Sequence, residues 1–182
     1  MNQLLIFAAL SVPVIYISRK SLIHPQSHGF YRFFGWEGTL WMVIANIKYW
    51  FTDPFGALQI CSWLLLLVSV YYVTAGTLLL IRSGKPHEQR TGEALYEFEK
   101  TTELVETGLY QYVRHPLYGS LIFLTWGVLL KHPTTQLIVV ASVTTLFYFL
   151  TARKDELECI AYFGEKYSAY MKRSKMFIPF VV

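Results

Sequence analysis

Charged residues are scarce in this sequence. Asp, Glu, Lys and Arg make up 15% of its 182 residues, whereas a soluble globular domain has about a quarter. Hydrophobic residues account for 54% and aromatic residues for 17% of the chain, so the composition excludes an ordinary soluble domain and indicates an integral membrane protein. A basic patch is also missing, because the net charge is only +4 and the basic residues lie at the ends of apolar blocks. We therefore expect no nucleic-acid partner.

Cysteine is nearly absent too. Cys61 lies within an apolar block and Cys159 within a stretch of helical pattern, so the two offer neither a disulfide framework nor a metal-binding spacing. His24 and His28 are four residues apart, but Pro25 argues against a helix that would align them, and no acidic or cysteine partner is close in the sequence. The sequence therefore predicts no metal site.

Apolar segments divide the chain into five expected membrane spans. They comprise residues 1–18, 36–51, 57–81, 117–130 and 134–152. After the first, the basic pair Arg19-Lys20 follows the apolar run and no small-residue cleavage site is apparent, which favours a membrane helix over a signal peptide. The second is the weakest, because it holds Glu37 and Asn46 and, at about 16 residues, falls slightly under the usual spanning length.

Basic residues are unevenly distributed between the two ends of these spans. The connections after the first, third and fifth spans hold nearly all of them, and the opposite side keeps only Lys48 and Lys131. This bias predicts that the N-terminus lies outside and the C-terminus in the cytoplasm. Residues 21–35 are then expected to be a polar and aromatic connection at the interface, and residues 87–107 a hydrophilic cytoplasmic one. The short Lys131-His132-Pro133 link makes the last two spans an antiparallel hairpin.

A polar segment, residues 104–119, lies between two of the apolar blocks and reads L-V-E-T-G-L-Y-Q-Y-V-R-H-P-L-Y-G. Pro116 disfavours helical dihedrals at His115, so the chain should be extended at 114–115 and enter a helix at Leu117. The first-turn N–H groups of that helix, with Arg114 and the imidazole, suit an anionic group on a small ligand. Polar residues at a membrane boundary make this segment the first candidate site.

Residues 153–171 show a helical pattern whose weak point is Gly164. At about 100° per residue, one stripe of this helix comprises Glu156, Ile160, Phe163, Tyr167 and Tyr170, whereas Asp155 lies about 100° away on the polar side. Glu156 can form a structural ion pair with Arg114 or Arg153, or it can hold a ligand amine or ribose hydroxyls. The residue pattern alone favours the ion pair. We expect one all-α, polytopic membrane domain over residues 1–182, with about five transmembrane helices and this C-terminal cytoplasmic amphipathic helix.

Two sequence elements carry a family resemblance. The first is G-L-Y-Q-Y-V-R-H-P-L-Y-G at residues 108–119, and the second is the acidic pair Asp155-Glu156 with Phe163-Gly164, Tyr167, Tyr170 and Phe177-Ile178-Pro179. In this order they resemble the signature of integral membrane methyltransferases, namely the isoprenylcysteine carboxyl methyltransferases and the phospholipid N-methyltransferases. Two residues depart from that pattern: Asp155 stands where the family usually has Glu, and Met176 stands where it often has a basic residue.

The resemblance implies S-adenosylmethionine as methyl donor, bound on the cytoplasmic side. It assigns the cofactor-binding core to residues 101–182 and the acceptor side to residues 1–100. The implied cofactor-binding residues are Tyr110, His115, Pro116, Tyr118, Gly119, Glu156, Tyr167 and Tyr170. Arg114 and Glu156 are the implied catalytic residues: Arg114 can orient an acceptor carboxylate, and Glu156 or a tyrosine can act as base for an amine acceptor.

The sequence leaves the methyl acceptor open, and it also leaves two functions other than methyl transfer open. The acceptor of the methyl group can be a prenylated cysteine, an aminophospholipid or a small lipophilic thiol. A polar loop over membrane helices can also bind NADPH, as in a membrane lipid reductase. A non-catalytic membrane scaffold is the third alternative, and it predicts no cofactor binding.

Overall fold

The computed structural model describes residues 2–86 and 95–181. Its helices are α1 Gln3–Leu22, α2 His28–Asn46, α3 Ala57–Ser83, α4 Pro116–Leu129, α5 Thr135–Phe163 and α6 Glu165–Arg173, with 3-10 turns at Ile47–Tyr49, Glu97–Glu99 and Gly108–Gln111. The described residues include no β-strand, so the all-α prediction is confirmed for them. Part of the predicted hydrophilic connection 87–107, residues 87–94, lies outside the described residues.

Three helices, α1, α3 and α5, are long and apolar enough to cross a membrane. Helix α4 is apolar as well but has only 14 residues. These four helices form over the apolar runs of the sequence. The turn Asp53–Gly56, between α2 and α3, lies where Pro54 and Gly56 interrupt the apolar residues. The protein is therefore an all-helical protein of membrane type.

Small residues allow the helices to pack closely. A side chain at Gly35 or Gly38 of α2 would overlap Tyr148 or Thr144 of α5, so these glycines permit the approach of the two backbones. Inside the resulting bundle, the Thr39 hydroxyl lies 2.8 Å from both the Thr125 hydroxyl and the Tyr148 phenol. These three groups connect α2, α4 and α5 and satisfy one another's hydrogen bonding in the apolar interior.

The predicted connection over residues 21–35 was wrong in its second half, because α2 begins at His28. The cause is tertiary. The carboxylate of Glu158, at the far end of the chain, accepts a hydrogen bond of 3.0 Å from the backbone N–H of His28. That contact satisfies one of the unpaired N–H groups at the start of α2, and nothing near residue 28 in the sequence indicates it.

The predicted C-terminal helix 153–171 was also wrong as a single unit. Helix α5 continues beyond its apolar part to Phe163, and α6 starts separately at Glu165. Residues 153–163 extend α5 because they contain good helix formers and no helix breaker. Gly164 ends it with φ +62° and ψ −139°, a backbone conformation that is essentially restricted to glycine.

The polar segment 104–119 is paired with the C-terminal tail. The N–H of Arg114 donates to Lys175 O at 2.9 Å, and the N–H of His115 donates to Met176 O at 3.1 Å. His115 itself has φ −124° and ψ 59°, so it lies outside the helix as expected, but the prediction that it is extended was wrong because its ψ lies well below the extended range. Helix α4 starts at Pro116, one residue before the predicted start, because proline has the helical φ and needs no hydrogen-bond acceptor.

Candidate active site

A pocket lies at one end of the helical bundle, where five parts of the chain meet. Its walls are the polar segment, the end of α5, helix α6, Leu80 near the end of α3, and a connecting segment, residues 95–105. Several predicted site residues line it together: Tyr110, Arg114, His115, Pro116, Tyr118, Tyr167 and Tyr170. Gly119 and Glu156 are not among its lining residues.

Glu156 lies behind the pocket wall as the centre of an ion-pair cluster. It is only 2% exposed, which confirms its predicted inward orientation. Arg114 Nε lies 2.5 Å from its Oε1, and Arg153 Nη1 lies 3.0 Å from its Oε2. Arg114 also donates from Nη1 to Ser174 O at 2.8 Å. The structural ion pair that the residue pattern favoured is thus present, and both arginines take part in it.

Asp155, expected on the polar side, is the member of the acidic pair that lines the pocket. Its Oδ2 lies 3.5 Å from His115 Nδ1, and Cys159 donates to its Oδ1 at an Sγ–O distance of 3.7 Å. Asp155, Cys159 and Phe163 line the pocket although none of them was predicted as a site residue. A usable signal existed, because Asp155 and Cys159 are four residues apart and therefore share a helix face.

His115 lies between the two acids. Its Nε2 is 3.5 Å from Glu156 Oε1 and, among the described residues, has no hydrogen-bond partner. Burial lowers the pKa of His115, but the carboxylates of Asp155 and Glu156 raise it by more, so the net direction is upward. The ring of Tyr118 stacks against the imidazole at a centroid distance of 5.6 Å. The site can therefore hold a positively charged imidazole in a buried position.

Tyrosines from three elements line the pocket, namely Tyr110, Tyr118, Tyr167 and Tyr170. The Tyr170 phenol donates to Tyr110 O at 2.6 Å, which ties α6 to the polar segment. Tyr167 and Tyr170 pack edge to face with ring centroids 5.7 Å apart. Burial is the main cause that raises the pKa of Tyr110, Tyr167 and Tyr170 above the ordinary value. These phenols consequently stay neutral and offer a flat, uncharged surface to a ligand.

The connecting segment 95–105 is held in place from α2. Arg32, which is 4% exposed, contacts both carboxylate oxygens of Glu99 at 3.1 and 3.2 Å. Its guanidinium also lies over the rings of Tyr96 and Trp36, 4.5 and 5.2 Å from their centroids. Glu99 lines the pocket, so α2 positions part of the wall. No local pattern around Arg32 indicates this contact.

Gly119 lines a second, apolar groove between α4, α5 and the tail. Its other lining residues are Ile122, Phe123, Thr145, Leu146, Phe149, Phe177 and Ile178. A Cβ atom at Gly119 would lie 3.3 Å from the ring of Tyr72 on α3. The absence of a side chain at this position therefore serves the close packing of α3 and α4.

Comparison with known proteins assigns the family. The family model described as phospholipid methyltransferase matches residues 68–162. This range contains the polar segment, the acidic pair and more than half of the chain. The chain belongs to the phospholipid methyltransferase family. The expected resemblance to membrane methyltransferases is thereby confirmed, and no solved structure matches the chain.

Curated relatives of this family member are methyltransferases with different acceptors in their names. The methanethiol S-methyltransferase of Crocosphaera subtropica is 29% identical over 127 residues, which cover 70% of this chain and 47% of that protein. Methanethiol S-methyltransferase 1 of Bradyrhizobium diazoefficiens is 35% identical over 71 residues, 39% of this chain and 24% of that protein. The mouse protein-S-isoprenylcysteine O-methyltransferase is 32% identical over 87 residues, 47% of this chain and 30% of that protein. The chain thus spans less than half the length of these relatives.

Proposed function

We propose that this protein transfers a methyl group from S-adenosylmethionine to a lipophilic acceptor at the cytoplasmic face of a membrane. The observation that carries the proposal is the pocket itself, in which Asp155, His115 and buried tyrosines converge at the end of apolar helices. Membership of the phospholipid methyltransferase family supports the reaction class. The names of the curated relatives, which act on methanethiol or isoprenylcysteine, support a sulfur-bearing or lipid-like acceptor.

The residues of the pocket fit S-adenosylmethionine. The Asp155 carboxylate can accept hydrogen bonds from an amine or from ribose hydroxyls, and the neutral tyrosines can stack on a base. His115 also lines the pocket, and a protonated imidazole there suits the carboxylate of the ligand. When bound, S-adenosylmethionine supplies a methyl group on a positively charged sulfur that is ready for displacement.

Arg114 and Asp155 are the proposed catalytic residues. Arg114 lines the pocket while Glu156 and Ser174 O hold its guanidinium, so it can orient an anionic acceptor group. Glu156 is engaged by two arginines and is less suited to act as a base. Asp155 is the better candidate for accepting a proton from an amine or thiol acceptor. Tyr110, His115, Pro116, Tyr118, Tyr167 and Tyr170 are the proposed cofactor-binding residues.

The apolar groove beside Gly119 supports a lipophilic acceptor. Its walls include Phe123, Leu146, Phe149 and Phe177, and Gly119 in its wall directly follows Tyr118, which lines the pocket. An acyl or prenyl chain in this groove would bury apolar surface while its reactive end reaches the pocket. The reactive group would then be positioned without any charged anchor in the bilayer.

We also propose the finer topology of five spans with the pocket in the cytoplasm. Helices α2 and α4 pack within the bundle, α2 against α5 and α4 against α3. Basic residues near the pocket, among them Arg114, Arg153 and Lys175, support a cytoplasmic location. Under this proposal α6 lies at the cytoplasmic interface with its basic last turn, Lys172 and Arg173, in water.

A methyl-transfer assay tests the function. Detergent-solubilised protein is incubated with radiolabelled S-adenosylmethionine and, in parallel, with a prenylcysteine analogue, a total lipid extract and an alkyl thiol. We expect label in one acceptor class and loss of that label in Asp155→Asn. The matched control is Asp53→Asn, an exposed acid in the α2–α3 turn, which should keep full activity.

Ligand-dependent melting separates the remaining alternatives. S-adenosylhomocysteine should raise the melting temperature of the protein, because a ligand that binds only the native state stabilises it. A rise with NADPH instead would favour a membrane lipid reductase. No rise with either ligand, together with no transfer to any acceptor, would favour a non-catalytic scaffold.

A further inference from the structure

Three potential metal ligands from distant parts of the sequence meet beside the pocket. They are His28 at the start of α2 and Asp155 and Glu158 near the end of α5, and one donor atom of each lies within 4.8 Å of the other two. The two acids that approach His28 lie about 130 positions away in the sequence, so no local pattern indicates them. The fold brings both to the same place.

His28 is held rigidly in this cluster. Its side chain is fully buried, its Nδ1 lies 2.7 Å from Glu158 Oε2, and its backbone N–H donates to Glu158 Oε1 at 3.0 Å. Its Nε2 is buried and has no hydrogen-bond partner in the part of the chain that the structure describes. Imidazole binds metal ions through either ring nitrogen, and here Nδ1 is the nitrogen that faces the carboxylate of Glu158.

The two carboxylates complete the set and leave it open to solvent. Their side chains are 19% exposed for Asp155 and 38% exposed for Glu158, so an ion can reach them. The nearby cation Arg32 is engaged by Glu99 at 3.1 Å, which compensates its charge. With a neutral imidazole, the cluster carries a charge of about −2, which matches a divalent cation.

We infer that His28, Asp155 and Glu158 form a binding site for a first-row divalent cation such as Zn²⁺. One imidazole and two carboxylates are ligands that Zn²⁺ accepts, and three protein ligands leave a coordination position for water. An ion bound at His28 Nδ1 replaces the hydrogen bond to Glu158; the neutral imidazole then carries its one ring proton on Nε2, and no oxidation state changes. Mg²⁺ and Ca²⁺ prefer sets of oxygen ligands and bind more weakly here.

The same contacts can also be read as a helix cap alone, in which Glu158 accepts from the backbone and the ring of His28. A cap accounts for Glu158, and Asp155 also contacts His115 and Cys159, but a cap does not require Asp155 to lie within reach of His28. The two readings differ in a measurable property, because a cap requires no ion.

Titration of the full chain with Zn²⁺ tests the inference. The detergent-solubilised protein, treated with chelator and carrying Cys61→Ser, is titrated against a chromophoric competitor. We expect one Zn²⁺ per chain, a dissociation constant in the micromolar range or below, and much weaker binding of Mg²⁺. His28→Gln and Glu158→Gln should each weaken Zn²⁺ binding by about tenfold or more. The matched control is His24→Gln. It removes an exposed histidine four residues before His28 and should leave the affinity for Zn²⁺ unchanged.

A second measurement uses the parent protein and does not depend on the folding of a variant. X-ray absorption of the Zn²⁺ complex should show only nitrogen and oxygen ligands at about 2.0–2.2 Å, with imidazole scattering. A sulfur ligand at about 2.3 Å would assign the ion to a cysteine, Cys159 being the nearest, and would overturn the inference. Absence of stoichiometric binding, or equal affinity in the parent and His28→Gln, would overturn it as well. Neither measurement depends on methyl transfer.

Discussion

Asp155 and Glu156 are adjacent in the chain but face different surroundings. Glu156 is buried between Arg114 and Arg153, whereas Asp155 faces the pocket and His115. Because successive residues of a helix point about 100° apart, one carboxylate can stabilise the fold while its neighbour contacts a ligand. Amino-acid composition does not predict this difference between the two acids, because it depends on which element packs against each face of α5.

Substitution of the two acids should separate these roles. Glu156→Gln leaves the guanidinium of Arg114 buried without its anionic partner, so we expect a loss of about 3–5 kcal/mol in the free energy of unfolding. Asp155→Asn should keep the melting temperature within a few degrees of the parent but weaken the binding of S-adenosylhomocysteine by tenfold or more, roughly the loss of one charged hydrogen bond. Thermal unfolding and calorimetric titration in detergent measure the two effects.

The opposite pattern would contradict this assignment. If Glu156→Gln melts like the parent, the ion-pair cluster contributes no net stability. If Asp155→Asn binds S-adenosylhomocysteine as tightly as the parent, the pocket is not the donor site.

At the scale of the elements, the site is made by the breaks between helices. Pro116 starts α4 and leaves His115 outside the helix, while Gly164 separates α6 from α5. The turn at Gly164 brings Tyr167 and Tyr170 over the pocket, where the Tyr170 phenol reaches Tyr110 O. A continuous helix through residue 164 would direct these tyrosines away from the polar segment.

Gly164→Ala should therefore destabilise the α5–α6 turn. A Cβ atom at this position meets no other atom within 4 Å, so the expected loss comes from the backbone conformation alone and is about 1–3 kcal/mol. We also expect weaker binding of S-adenosylhomocysteine, because α6 loses its position. Thermal unfolding and titration measure both quantities.

Two controls sharpen this test. Gly164→Asn should be as harmful as Gly164→Ala, since ψ −139° lies outside the left-handed helical region that asparagine tolerates. Glu165→Ala, at an exposed neighbouring position, should be nearly neutral. A Gly164→Ala protein as stable as the parent would show that the turn can change its dihedrals without cost.

At the scale of the whole molecule, apolar surface surrounds a bundle held together by buried polar contacts. Exposed leucine, isoleucine and valine residues cover α1 and α3, as expected for helices that face lipid. Inside, hydroxyl groups such as that of Thr39 form hydrogen bonds between helices. The interior also contains apolar residues such as Met42, Leu66 and Val128, so the polar contacts lie within an apolar core.

Cysteine labelling should reveal the two sides of the membrane. In a background with Cys61→Ser and Cys159→Ser, Glu103→Cys lies near the pocket and His132→Cys lies in the α4–α5 link, and both positions are exposed. In oriented vesicles, an impermeant maleimide should label Glu103→Cys only from the cytoplasmic face and His132→Cys only from the other. Labelling of both from the same face would exclude the five-span topology.

The sequence by itself determined the class of the protein, the approximate position of most helices and the two elements that carry the family resemblance. These features are local, because apolar runs, Pro116 and Gly164 act on their own neighbours in the chain. Only the tertiary structure decided where α2 begins, which acid faces the pocket and that Arg32 holds Glu99. Each of these depends on residues far apart in sequence, such as His28 and Glu158 or Arg32 and Glu99. Their contacts follow from how whole helices pack, and helix packing is not encoded in any short segment.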